Sequence, residues 1–132
     1  MQDMENKDRN NYRVVAYGNF TIANKTMYFI IMPRYGENLQ QFIRKNGFPV
    51  EKDILQIGLS ILEEFETIHN CGFTYNDLKP GNILLDYKSD SLSHVNLVDF
   101  GLAKRFLDPD GVHLPKRELP HFDGNIMFAS SS

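Results

Sequence analysis

The sequence predicts an α+β fold in a single small domain, and three observations support this class. Two runs rich in β-branched and aromatic residues, "YRVVAYGNFTI" and "KTMYFIIM", are typical of strands. Residues 51–70 then carry apolar side chains at helical spacing. Two further short apolar runs, "NILLD" and "HVNLVDF", have the length of strands. With 132 residues, of which 42% are hydrophobic, the chain can bury one core of modest size.

Composition narrows the function classes. Fourteen basic and seventeen acidic residues give a net charge of −3, so no overall field attracts nucleic acid or an anionic membrane. The single cysteine, Cys71, excludes an internal disulfide and is typical of a reduced compartment, the cytoplasm or the nucleus. No apolar run is long enough to span a bilayer, and residues 1–11 lack the pattern of a secretory signal. We therefore expect neither nucleic acid nor a membrane as partner, and the composition does not predict an oligomeric state.

The N-terminal part predicts a disordered tail followed by a hairpin. Residues 1–11 are polar and offer little surface to bury, so order is expected to begin near Tyr12. The two strand-like runs are separated by the residues Ala23-Asn24-Lys25. This spacing indicates two antiparallel strands joined by a tight connection.

Two helices are predicted next. The segment "PRYGEN" interrupts the strand pattern, and "LQQFIRKNG" predicts a short helix that ends at Gly47 in a left-handed cap. The longer helix, residues 51–70, is amphipathic. Its predicted apolar face comprises Ile54, Ile57 or Gly58, Ile61, Phe65 and Ile68. Its predicted solvated acids are Glu51, Asp53, Glu63, Glu64 and Glu66.

The last third predicts a second hairpin and then a long loop. The runs "NILLD" and "HVNLVDF" flank the polar segment "YKSDSLS", which is typical of a solvated hairpin loop. Residues 102–132 show no periodicity and are predicted to be a loop with turns at 108–111 and 123–124. A loop of this length in a small domain indicates either a function or a missing partner.

The stretch "TYNDLKPGN", residues 74–82, has two interpretations. Its segment Lys79-Pro80-Gly81-Asn82 has the residue order of a β-turn. The second interpretation, a phosphate site, gains weight from the motif "LVDFG" at 97–101. If the two flanking strands pair as a hairpin, Asn82 and Asp99 lie at the same open end, with Asp77 nearby.

These residue types suit phosphoryl transfer. Mg²⁺ prefers a few oxygen ligands from the protein and takes the others from phosphate and water, and Asn82 and Asp99 can supply the protein ligands. A hydroxyl that attacks a phosphoryl group needs a group that orients it and accepts its proton, which Asp77 can do. Lys79 can stabilise the transferring oxygens.

The order Asp77-x-Lys79-Pro80-x-Asn82, followed by Asp99-Phe100-Gly101, resembles the catalytic loop and metal-binding motif of eukaryotic protein kinases. The segments "DPDGVH", "HFDGNIMFAS" and "IIMPRYGENL" are similar to the casein kinase 1 superfamily, and particularly to its vaccinia-related kinase branch. The resemblance implies a protein serine/threonine kinase that transfers a phosphoryl group from ATP, with Mg²⁺, to a protein substrate with serine or threonine.

The resemblance also implies a fold and a nucleotide site. The fold is an incomplete protein-kinase-like fold, with the end of the small lobe, the hinge and the first half of the large lobe. Its implied parts are strands and hinge at 12–36, helices at 37–70, catalytic loop at 74–82, metal motif at 99–101 and activation segment at 102–132. In the implied adenine site Met32 is the gatekeeper, Pro33 offers its carbonyl, Tyr35 offers its N–H and Leu84 packs beneath the ring.

The sequence departs from the kinase pattern in four places. Tyr75 and Asn76 replace the usual His-Arg before the catalytic Asp. Tyr75 is expected to pack against Phe100, whereas Asn76 cannot pair with a phosphorylated activation loop as arginine would. Asn125 replaces the usual threonine and is expected to bond Asp77 and Lys79. The glycine-rich loop, strand lysine and partner glutamate are missing before residue 12, and the sequence stops before the rest of the large lobe.

Two other hypotheses remain open from the sequence. The chain can be a non-catalytic module that uses a kinase-like surface to bind a partner, which the missing N-terminal machinery favours and the intact acidic set opposes. Alternatively, it does not fold alone, because half a lobe exposes apolar surface that promotes association.

Overall fold

The computed structural model describes residues 14–89, 91–115 and 124–128. The predicted disordered tail lies outside these residues, as does part of the predicted activation segment. The length predicted one domain, whereas the chain divides into two compact units, Met1–Arg34 and Tyr35–Ser132. The boundary falls within residues 32–37, which have no regular secondary structure.

The first unit contains the predicted hairpin. Strands β1 (Ala16–Ile22) and β2 (Lys25–Ile31) pair antiparallel, with Ile22 opposite Lys25. Ala23 and Asn24 form the turn with φ of 48° and 63°. Positive φ at both turn residues matches the right-handed twist of the flanking strands. Lys25 was predicted in the connection, and this was wrong, because a two-residue turn of this type leaves Lys25 as the first residue of β2.

The second unit opens with helix α1 (Leu39–Asn46), which begins with a capping box. Asn38 Oδ1 accepts a hydrogen bond of 2.8 Å from the Gln41 backbone, and Gln41 Oε1 accepts one of 3.0 Å from the Asn38 backbone. The helix ends at Gly47, where φ is 84° and ψ is −177°. The positive φ was predicted, but the extended ψ differs from a left-handed cap because the chain leaves the helix directly toward the next one.

Helix α2 (Glu51–Asn70) is present over the predicted residues. Ile57 and Ile68 are buried, and Ile61 and Phe65 pack against the same core. Ile54 was predicted on this face, yet its side chain is 53% exposed. The buried residues of the helix are Ile57, Ser60 and Ile68, so its first turn contributes no buried side chain.

Strands β4 (Ile83–Leu85) and β5 (Val95–Leu97) form the second predicted hairpin, and its centre is the core of this unit. Val95 is fully buried, and Leu85 and Leu97 are each 2% exposed. Leu92 in the intervening loop is also buried, so the prediction that this loop is solvated was wrong at that position. A leucine within a serine-rich segment carries no periodic signal that would reveal its burial.

Polar groups of α2 anchor β5. Ser60 Oγ accepts a hydrogen bond of 3.0 Å from the Val95 backbone, and Glu64 Oε2 accepts one of 3.4 Å from the Leu97 backbone. Glu64 was predicted to be a solvated acid, and this was wrong. Within the described part of the chain, β5 has one hydrogen-bonded neighbour strand, so its outward N–H groups need other acceptors, and these two side chains supply them.

Residues 36–38 run along the other edge of β4. The Gly36 backbone donates to the Leu85 carbonyl at 2.8 Å, and Leu85 donates to the Glu37 carbonyl at 3.0 Å. A Cβ atom at Gly36 would lie 2.7 Å from the Asp86 carbonyl oxygen, so only glycine allows this approach. The glycine of "PRYGEN" therefore serves close backbone packing.

Regular structure continues beyond the predicted limit. Strand β6 (Lys104–Arg105) lies within the region predicted to be a loop from residue 102 onward, and it pairs antiparallel with β3 (Phe73–Thr74). A two-residue strand is too short to produce a periodic signal. The predicted turn at 108–111 is confirmed by a 3.1 Å hydrogen bond from Gly111 to the Asp108 carbonyl, whereas the turn at 123–124 lies partly outside the described residues. A short 3₁₀ turn occupies Ile126–Phe128.

One face of α2 carries an exposed apolar stripe. Leu55, Leu59 and Leu62 are 63%, 57% and 62% exposed. Their spacing of four and three residues places them on one side of the helix. The expectation that the unit exposes apolar surface is met here. Among the described residues, no helix has the length and apolar character needed to cross a membrane.

Candidate active site

Tyr75 joins the catalytic loop to the metal motif. Its side chain is 2% exposed, and its hydroxyl donates a hydrogen bond to the Val98 carbonyl. Its ring meets the Phe100 ring edge-on, with 5.4 Å between the centroids. The predicted packing of Tyr75 against Phe100 is confirmed. The buried ring thus fixes the chain on both sides of Asp99.

The lysine and the second asparagine of "TYNDLKPGN" converge on the carboxylate of its aspartate. Lys79 Nζ lies 2.7 Å from Asp77 Oδ2, and Asn82 Nδ2 lies 2.8 Å from the same oxygen. Asn82 Nδ2 also donates to the Asp77 carbonyl at 3.0 Å. Both Asp77 and Asn82 are buried. These contacts preorganise Asp77 in a fixed orientation.

The local backbone explains why both interpretations of this stretch apply. Pro80–Asn82 forms one turn of 3₁₀ helix, and the Asn82 backbone donates to the Lys79 carbonyl at 2.9 Å. Proline fits the first position of this turn because its fixed φ suits a helical start and no backbone donor is needed there. The turn brings the Asn82 side chain back over Asp77. It is therefore the element that builds the polar site.

Asp99 lies at the open end of the β4–β5 hairpin, as predicted. The Val98 backbone donates to the Asn82 carbonyl at 3.1 Å, which extends the ladder by one step beyond the Ile83 and Leu97 pair. Asp99 follows directly, with φ of 63°. Its Oδ1 accepts a hydrogen bond of 3.2 Å from the Gly101 backbone. The hairpin thus brings the two predicted metal ligands to one end.

The electrostatics of the site keep Asp77 ionised. The hydrogen bond from Lys79 is the largest cause and lowers the pKa of Asp77 below its ordinary value of 3.8. Burial raises the pKa and so opposes this change. The hydrogen bond from Asn82 and the charge of Lys79 lower the pKa further. The lowered pKa makes Asp77 a weak base at neutral pH. A carboxylate of this kind can orient a hydroxyl by accepting its hydrogen bond, and it can take up a proton only from a group that has become a strong acid.

We expect Lys79→Met to raise the pKa of Asp77, because the largest cause of the lowering is removed. A carboxyl group with a depressed folded-state pKa contributes stability above its ordinary pKa of 3.8, and this contribution is lost as pH falls through the folded-state value. The stability difference between the parent chain and Lys79→Met should therefore shrink on acidification. Carboxyl ¹³C NMR titration and denaturation across pH 2–6 measure both effects. Lys88→Met, at an exposed lysine outside the site, is the control, and an unchanged Asp77 titration in Lys79→Met would contradict the expectation.

The residues of the implied adenine site fall in both compact units. Met32 and Pro33 lie in the first unit, and Tyr35 and Leu84 lie in the second. Leu84 is in β4, half-buried, and pairs with Asn38 through a β-bridge. Tyr35 precedes Gly36, whose backbone bonds to β4.

One predicted contact differs. Asn125 was expected to bond Asp77 and Lys79, but among the described residues its Oδ1 instead accepts a 3.0 Å hydrogen bond from the Met127 backbone. Asparagine commonly bonds to the backbone two residues ahead, so the side chain closes its own turn. The sequence reasoning also missed the contacts of Asn76 and Thr74, for which a motif comparison carries no signal.

The protein kinase domain family matches residues 4–119 of this chain. The chain belongs to the protein kinase family. The incomplete kinase-like fold predicted above agrees with this assignment, since the matched region contains the hairpin, the two helices, the catalytic loop and the metal motif. The polar cluster around Asp77 lies within the kinase match.

Curated relatives of this kinase chain support the predicted branch. Nucleosomal histone kinase 1 of Drosophila melanogaster is 33% identical over 105 residues, which cover 79% of this chain and 18% of the relative. Serine/threonine-protein kinase VRK2 of Homo sapiens is 36% identical over 104 residues, with coverage of 77% and 20%. Serine/threonine-protein kinase VRK1 of Caenorhabditis briggsae is 34% identical over 119 residues, with coverage of 89% and 21%. The resemblance to the vaccinia-related branch of the casein kinase 1 superfamily is confirmed, and the chain spans about a fifth of the length of these relatives.

Proposed function

We propose that the polypeptide carrying this sequence is a protein serine/threonine kinase, which transfers a phosphoryl group from ATP to a serine or threonine hydroxyl of a protein. The observation that carries the proposal is the convergence of Lys79 and Asn82 on one oxygen of the buried Asp77, beside the hairpin end that bears Asp99. Relatives at 33–36% identity are named as kinases of this kind.

Asp77 is the proposed catalytic base. Among the described residues, both side-chain contacts of Asp77 use Oδ2, so Oδ1 can accept a hydrogen bond from the attacking hydroxyl. Asp77 orients that hydroxyl and receives its proton, while the Lys79 ammonium stabilises negative charge on the transferring phosphoryl oxygens. Lys79 is only partly exposed, which limits screening of its charge by solvent.

Asn82 and Asp99 are the proposed metal ligands, and their chemistry fits Mg²⁺. Both hydrogen bonds of the Asn82 side chain are made by its nitrogen, which leaves the amide oxygen as a ligand. Asp99 adds a carboxylate, and hard oxygen ligands of this kind suit Mg²⁺. When bound, Mg²⁺ neutralises charge on the phosphate oxygens. We further propose that Tyr35 and Leu84, which both lie in the second unit, contact the adenine as the family resemblance implies.

The test is saturable, Mg²⁺-dependent ATP binding measured by calorimetry on the purified polypeptide that carries this sequence in the cell. Asp99→Asn should weaken binding at least tenfold at fixed Mg²⁺, because removal of a buried or metal-bound charge contact costs on the order of 1.4 kcal/mol or more. Asp110→Asn changes the same charge on an exposed turn and should bind like the parent. Absence of saturable binding would overturn the proposed nucleotide function.

A non-catalytic interaction module is the second candidate, and the exposed apolar stripe of Leu55, Leu59 and Leu62 on α2 favours it. The two candidates differ in the expected size of the endogenous polypeptide. Capture with an antibody to residues 51–70, followed by mass determination, should give a mass of roughly twice 15.3 kDa or more for a two-lobed kinase. A mass of 15.3 kDa would favour the module.

We also propose that the protein works in the cytoplasm or nucleus. The lone cysteine is exposed and unpaired by any disulfide, which suits a reducing compartment. A nucleosomal histone kinase among the relatives supports the nuclear alternative.

A further inference from the structure

A small polar network connects the catalytic loop to the segment after the metal motif. It begins at Asn76, the residue immediately before Asp77, where φ is 66°. That conformation is uncommon for residues other than glycine, and asparagine is among the few side chains that adopt it readily. The residue type therefore fits its backbone, and its side chain is available for a second role.

Asn76 and Thr74 make three directed hydrogen bonds. Asn76 Nδ2 lies 3.0 Å from the Leu102 carbonyl oxygen and 3.0 Å from Thr74 Oγ1. Thr74 Oγ1 lies 3.2 Å from the Lys104 carbonyl oxygen. Because carbonyl oxygens only accept, the Asn76 amide must donate to Leu102, and the Thr74 hydroxyl must donate to Lys104. The Thr74 oxygen then accepts the second amide hydrogen of Asn76, so every donor in the network has an acceptor.

The two carbonyls lie at either end of a short segment next to the metal motif. The Ala103 backbone, between them, donates to the Phe100 carbonyl at 3.0 Å and closes the turn that follows Asp99. Two residues after Lys104, the Phe106 backbone donates to the Gly72 carbonyl at 2.9 Å. The network therefore ties residues 102–104 to β3, directly behind the catalytic loop.

We propose that Asn76 and Thr74 form a clamp that positions the metal motif and the start of the activation segment without an added phosphate. An arginine at position 76 can pair with a phosphorylated residue, since its charged fork matches a phosphate. The Asn76 amide reaches the Leu102 backbone itself. Both residues are positioning residues: the clamp acts on the segment that bears Asp99 and touches neither substrate nor metal. Its effect on metal binding rests on the proposed kinase function, whereas its effect on the segment does not.

The test is hydrogen exchange of the Ala103 and Phe106 amides in the purified chain, measured by NMR. Asn76→Gly keeps the positive φ and removes both hydrogen bonds of the side chain, and Asn76→Asp keeps the shape while replacing the donor by an acceptor. Each variant should speed exchange of these amides about three- to tenfold, as expected for the loss of one or two solvent-exposed hydrogen bonds. Thr74→Val should have the same effect, and Thr74→Ser, which restores the hydroxyl, should return exchange to the parent rate.

Thr67→Val is the matched control, because it removes a hydroxyl that donates 3.0 Å to the Glu63 carbonyl within α2. It should leave the two reporter amides unchanged. Unchanged exchange in Asn76→Gly and Asn76→Asp would overturn the clamp, as would an equal acceleration at all amides, which indicates general destabilisation.

A second readout separates the clamp from the proposed function. In Asn76→Gly the Mg²⁺ concentration for half-maximal ATP binding should rise several-fold, since the segment that carries Asp99 is less well ordered. Faster exchange of the reporter amides with an unchanged Mg²⁺ requirement would overturn the positioning role. If the parent chain binds no ATP but the Asn76 variants still exchange faster at the reporter amides, the clamp stands as a structural element. That result would count against the proposed kinase function and not against the clamp.

Discussion

Asp77→Asn is expected to lower phosphotransfer by about 10²- to 10⁴-fold, the range for loss of a positioned general base. The amide has the shape of the carboxylate, but it neither accepts a proton nor attracts Lys79. ATP binding should stay within about threefold of the parent, because Asp77 acts on the hydroxyl and not on the nucleotide. The measurement is transfer of radiolabelled phosphate to a serine- and threonine-containing protein by the polypeptide that carries this sequence in the cell.

Asp110→Asn is the matched control for this variant. It makes the same chemical change at an exposed turn residue and should retain the parent rate. A far-UV spectrum and a denaturation curve check that Asp77→Asn is folded. Phosphotransfer by folded Asp77→Asn at the parent rate would remove the catalytic assignment, and absence of transfer by the parent would favour the interaction module.

Leu85→Ala is expected to lower the free energy of unfolding by about 2–5 kcal/mol, the usual cost of truncating a fully buried leucine. Leu85 is 2% exposed and lies at the centre of the core, beside the fully buried Val95. Since small domains are stable by only about 5–15 kcal/mol, this single change removes a large part of the total. Urea denaturation followed by circular dichroism gives the difference in free energy.

Leu62→Ala is the control, because it makes the same truncation at a side chain that is 62% exposed on α2. Its free energy of unfolding should change by about 0.5 kcal/mol or less. Equal losses in the two variants would mean that the β4–β5 hairpin is not the core. A parent chain without a cooperative transition would instead support the hypothesis that the chain does not fold alone.

Local side-chain patterns were sufficient to predict much of the fold. Apolar side chains recur at helical spacing along α2 and at strand spacing in the two hairpins. These repeats predicted the elements, because a helix or strand must bury one face. The acidic constellation was also predictable. Two motifs that flank a predicted hairpin place Asn82 and Asp99 at one end, since antiparallel pairing leaves the start of one strand beside the end of the next.

Short elements and long-range partners were not predictable from periodicity. The β3–β6 pair has two residues on each side, which is a single repeat of the strand pattern and too short to show a period. Ile54 was predicted to be buried and Glu64 to be solvated, and both predictions failed. A periodic pattern predicts which side of a helix is apolar, but it does not predict which turns of that side other segments cover. The burial of Leu92, within a polar loop, was also not predictable. Leu92 belongs to a core cluster whose other members come from residues 39–97, and a local pattern does not reveal such partners.

The sequence by itself determined which residue types stand in the two motifs and which strands bring Asn82 and Asp99 to one end of a hairpin. Only the tertiary structure decided that Lys79 and Asn82 share one oxygen of Asp77, and that Asn76 donates to the Leu102 carbonyl. The physical reason is that hydrogen bonds depend on distances of about 3 Å and on donor direction, which the fold sets through contacts between residues up to 35 positions apart. A linear pattern carries the donors and acceptors but not those distances.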